Sequence, residues 1–171
     1  MAHHHIRRVT AGALAAGIAM ALHAVPLRAD DLPKAAAYCA DLLRVTDIAA
    51  TTHKFAVIAG KAREGNFLDT SLPLAGWKDC ALYGIRTYTC DSPGFATATG
   101  AQSALAGLVN DVTACLGEGW AADKSRSSRD YVVVQNAEST LSMTLSTDAP
   151  NPTEHVVHLV LFVRGRPRDD R

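Results

Sequence analysis

Cys39, Cys80, Cys90 and Cys115 are the residues with the clearest chemical choice to make, between a metal, a redox cycle and disulfides. They are separated by 40, 9 and 24 residues, with no C-x-x-C pair and no close histidine. Structural zinc needs such a cluster, and a thiol oxidoreductase needs the C-x-x-C pair. Neither fits. His155 and His158 stand three apart in an apolar run that reads as a strand, so their side chains point to opposite faces and cannot share an ion. His53 has no acidic residue placed by a motif to complete a site with either of them. The sequence therefore predicts no metal and no cofactor.

Nucleophilic catalysis finds no support either. A serine hydrolase presents its nucleophile on a tight G-x-S-x-G turn, which does not occur; Ser92 and Ser103 read as turn and helix residues. Gly94, Gly100 and Gly107 are scattered and lack the strand, lysine and spacing of a phosphate-cradling loop. Asp69, Asp79, Asp91 and Glu118 read as solvated carboxylates. No catalytic residue is assigned. Two stretches remain as binding surfaces. The connection from Lys61 to Gly76 carries Phe67, Leu68, Leu72 and Leu74 and leads into Trp77, and apolar groups held on a long connection tend to mark an interface. The turn from Lys124 to Arg129 places Lys124, Arg126 and Arg129 within six residues.

The compartment decides how the cysteines are read. Arg7 and Arg8 precede a small-residue apolar run from Val9 to Val25, and Ala29 stands just before Asp30. That is the order of a secretory signal over residues 1–29, and the run is short of the roughly 20 residues that cross a bilayer. Cleavage would remove three arginines and no acid from 17 basic and 17 acidic residues, leaving 14 against 17, a net charge of −3. Such a chain is not a nucleic-acid binder by charge, and it has no membrane span after cleavage. A periplasmic or secreted location makes the four cysteines two disulfides.

The elements that must position these residues follow from periodicity. After Asp30, Asp31 and Pro33, which suit a helix start, Cys39, Leu42, Leu43 and Thr46 recur at helical spacing and turn Cys39 inward. Residues 54–59 fit a strand or a helix end; Phe55, Val57 and Ile58 favour strand. Asp79 to Tyr83 and Ile85 to Cys90 read as a hairpin about Gly84, against the alternative of one long bulged strand. Ala98 to Leu116 is an amphipathic helix stopped by Gly117. Tyr131 to Gln135, Thr140 to Leu145 and His155 to Val163 are three strands, the last apolar on both faces and so interior to the sheet. Residues 165–171 read as a disordered charged tail.

Helices and hairpins in blocks predict one α+β domain over residues 30–164, a mostly antiparallel sheet of a hairpin and a three-stranded meander with two helices on one face. Helices sharing a face would bring Cys39 to Cys115, and the hairpin would bring Cys80 to Cys90. In the chain-entropy view these bonds are worth ~4 and ~3 kcal/mol, although the other pairings stay open at this point. The expected function is a non-enzymatic exported module that binds an envelope or secreted protein, in the manner of an inhibitor or immunity protein. The alternative is a small-molecule-binding domain or degenerate enzyme of the bacterial envelope.

Overall fold

The computed structural model describes residues 32–164. Residues 1–31, which include the stretch expected to be a signal and the Asp30 and Asp31 expected to start the helix, and the expected tail 165–171 lie outside the described residues. Helix α1 spans Ala35–Ala50 and buries Tyr38, Leu42, Val45, Thr46 and Ala49. That stripe is offset from the predicted one: Leu43 is 39% exposed, and Cys39 is only half-buried on the flank. Tyr38 decides the rotation. Its ring packs edge-on against Trp77 with centroids 5.8 Å apart, and it buries far more apolar area than a thiol.

The strand expected at residues 54–59 is instead a 3₁₀ turn, Lys54–Ile58. Phe55 and Ile58 are buried while Val57 is 61% exposed, a period of three, at which 3₁₀ side chains eclipse. A strand would have put Phe55 and Val57 on one face. The connection that follows is largely ordered into an edge hairpin, β1 (Ala59–Ala62) and β2 (Phe67–Thr70). Gly65 and Asn66 turn it, both with positive φ, and the Arg63 N–H donates to the Phe67 carbonyl at 2.7 Å. Gly60 is required there, since a Cβ would lie 2.9 Å from the Asp69 Cβ.

Strands β3 (Lys78–Tyr83) and β4 (Thr87–Asp91) form the predicted hairpin, turning through Gly84 at φ 60°. A bulge sets Asp79 and Cys80 against the single residue Cys90, so the Cys80 and Cys90 Cα atoms approach to 4.1 Å and the two are bonded. Helix α2 is Ala98–Leu116; Thr97 caps it by accepting from the Gly100 N–H, and Gly117 ends it. Cys115 is bonded to Cys39. Both expected pairings are thus the ones formed.

The meander gains a strand that was not predicted, β5 (Trp120–Ala122), ahead of β6 (Tyr131–Asn136), β7 (Leu141–Asn151) and β8 (Glu154–Val163). β7 runs on to Asn151, past the alternating stretch that ends at Leu145, with Pro150 at a register shift where the missing N–H costs no ladder bond. The eight strands form one antiparallel sheet in the order β1-β2-β3-β4-β8-β7-β6-β5. β8 is interior, as its two apolar faces require. Val157, Leu159 and Leu161 of β8, with Leu145, Met143, Tyr88 and Leu82, share the core with Leu42, Val45, Leu105, Leu108 and Val112 of the two helices.

Candidate functional site

Alternation along the strands gives every other residue to the face away from the helices. Across that outer face the register aligns Asp69, Ala81, Thr89, Val160, Thr144 and Val133 in one row. Asp91 lies directly opposite His158 in the adjacent row. Thr89 and Asp91, two residues apart on β4, therefore flank the imidazole of His158 on β8. The His158 Nδ1 is 2.5 Å from an Asp91 carboxylate oxygen, and its Nε2 is 3.0 Å from the Thr89 hydroxyl. The Asp91 carboxylate can only accept, so Nδ1 carries a hydrogen; in the neutral ring Nε2 then accepts the Thr89 O–H.

This relay lies in a cavity of about 360 Å³ whose other walls are Arg63, Glu64, Phe67, Asp79 and Ala81. Asp79, at the bulge, holds a positive φ of 48°, a conformation that persists only where the surroundings enforce it. Arg63 Nε donates to Asp69 at 2.5 Å, so its charge is already matched. Glu64 and Asp79 have no ion pair among the described residues, which leaves the cavity acidic on balance. Phe67 closes one side, stacked obliquely on its cross-strand partner Tyr83 with centroids 5.4 Å apart.

The expected surface divides on folding. Phe67 remains 37% exposed at the rim of this cavity, and Leu68 is half-buried against the core. Leu72, Leu74 and Trp77 are core residues at 8%, 1% and 7% exposure, contrary to the expectation that they face solvent. Tyr88 accounts for part of this, since its hydroxyl donates to the Leu72 carbonyl at 2.8 Å and ties the segment down. In the basic turn, Asp123 accepts from the Ser125 N–H and hydroxyl, Arg126 Nε and Gln135 Nε2. The hydrogen bonds from Ser125 and Arg126 hold its carboxyl down to about 2. Arg126 is thereby engaged, while Lys124 and Arg129 stay exposed, some distance along the sheet from the cavity.

Sequence reasoning passed over Thr89, Asp91 and His158 as a set. The alternation of Thr89 and Asp91 was visible; the pairing of β4 with β8 that brings His158 between them was not. Comparison of the chain with protein-family models, curated proteins and solved structures finds no match. The chain is a small α+β domain braced by two disulfides, and among the described residues no helix is long and apolar enough to cross a membrane.

Proposed function

We propose that this is an exported, non-enzymatic protein-binding module of inhibitor or immunity type that engages its partner through the outer face of β2, β3 and β4. The supporting observation is the exposed Phe67–Tyr83 pair standing at the mouth of an acidic cavity. Tyr83 is 51% exposed against Phe67, so two aromatic side chains stand together on this face. Aromatic anchors beside a polar pocket are the composition of an interface centre. A basic side chain from the partner complements Glu64, Asp79 and Asp91 and completes the site.

The relay has the order of nucleophile, base and orienting acid, yet recognition suits it better than acyl transfer. Thr89 is mid-strand and 7% exposed, flanked on both sides by paired strands, and the cavity's carboxylates would oppose a developing oxyanion. The test is capture from envelope extract by wild type, Tyr83→Ala, Asp79→Asn and Lys124→Ala. The reading expects a stoichiometric partner lost by the first two variants at unchanged melting temperature and kept by the third. Capture that survives Tyr83→Ala and Asp79→Asn but fails with Lys124→Ala moves the interface to the basic turn. Export itself predicts envelope material beginning near Asp30 by intact mass. The second reading, a small-molecule-binding domain or degenerate enzyme, is favoured by a larger cavity at the end of the sheet, beside the C-terminus of α1.

A further inference from the structure

We infer that this second cavity binds a small oxyanion, a phosphate ester or a carboxylate, an assignment that rests on the small-molecule reading. Its volume is about 470 Å³, and its ionisable lining is entirely cationic: Lys54, Arg86 and Arg164, joined by Thr51, Thr52 and Thr140. The three cations come from distant parts of the chain and are fixed by main-chain bonds. The Phe55 N–H donates to the Ile85 carbonyl, the Val163 N–H to that of Arg86, and the Arg164 N–H to that of Thr140.

None of the three has an acidic partner among the described residues. Arg86 donates to the Val163 carbonyl at 3.1 Å, and Arg164 to Gln135 Oε1 and the Asn136 and Ser139 carbonyls. Those acceptors are neutral, so the guanidinium charges remain in force. Three like charges at one cavity repel one another, and an anion relieves that repulsion while accepting from planar guanidinium forks. The negative end of the α1 dipole lies nearby and works against an anion by about half a charge. It is muted here, because the Ile48 carbonyl already accepts from the Thr51 N–H at 3.1 Å and hydroxyl at 2.7 Å. Thr52 and Thr140 carry hydroxyls with no side-chain hydrogen bond among the described residues, which gives an oxyanion two further donors.

Titration calorimetry of the processed full-length chain with inorganic phosphate and with citrate, at constant ionic strength and with chloride as control, tests the assignment. Saturable one-to-one binding of either anion is expected, weakened at least tenfold in Lys54→Gln and Arg86→Gln and unchanged in Lys124→Gln. Which of the two binds identifies the head group. Absence of saturable binding, or binding that falls equally in Lys124→Gln, overturns the proposal. Thermal shift with neutral and cationic metabolites separates the two levels of the argument. Stabilisation by one of these alone, abolished when Thr52→Trp fills the cavity, would reject the anion and keep the small-molecule reading.

Discussion

Leu74→Ala is the sharpest perturbation of the segment between β2 and β3, because sequence and structure disagree about it. Leu74 is 1% exposed and belongs to the cluster containing Tyr38, Trp77 and Tyr88. Truncation removes three buried carbons and leaves a void that the helix, tied through Cys39–Cys115, cannot easily close. Leucine-to-alanine changes at such sites cost about 2–5 kcal/mol, and about 3 kcal/mol corresponds to a fall of roughly 10 °C in a domain of this size. Urea denaturation followed by tryptophan fluorescence reads this directly through Trp77; the midpoint should fall with an unchanged slope. Tyr88→Phe should add a smaller loss, about 1–3 kcal/mol, by leaving the Leu72 carbonyl unpaired. Tyr83→Ala, at a residue 51% exposed, should cost under about 1 kcal/mol. A Leu74→Ala midpoint indistinguishable from wild type would refute the packing of this segment and return it to the surface.

Two further outcomes follow from the same structure. Replacing Cys39 and Cys115 with serine should destabilise more than replacing Cys80 and Cys90, about 4 against about 3 kcal/mol, because the sequence separations are 76 and 10; equal midpoints in urea would contradict this. Asp123 has a folded-state pKa of about 2 against 3.8 ordinarily, so its contribution is present above pH ~4 and is lost as pH falls through about 2. Asp123→Asn should therefore flatten the stability profile between those values, and a wild-type-like acid limb in that variant would remove the role assigned to the Asp123 hydrogen bonds.

What was legible in the sequence was local. Helix α2 carried its stop signal in Gly117 and its apolar stripe, and the hairpin carried Gly84, so the Cys80–Cys90 bond followed from one turn. The bond from Cys39 to Cys115 needed only that both helices cover one face. The 3₁₀ turn was misjudged because Phe55, Val57 and Ile58 have strand propensity, while the buried pair Phe55 and Ile58 has a spacing of three. The edge hairpin was hidden by polar residues, as exposed edge strands require few apolar ones. Leu72, Leu74 and Trp77 looked unpartnered because the residues that cover them, Tyr38 on α1 and Tyr88 on β4, belong to other elements. The relay was invisible for the same reason: Asp91 and His158 are 67 residues apart, and only the pairing of β4 with β8 joins them.

Hydrogen–deuterium exchange of the captured complex against the free chain maps the interface on β2, β3 and β4 without a substitution. Added protection is expected in peptides covering Arg63 to Asp69, Asp79 to Thr89 and His158, with the turn from Lys124 to Arg129 unchanged. Protection confined to that basic turn, or to the exposed side of the helices, with free-chain exchange at Phe67 and Tyr83, would contradict it.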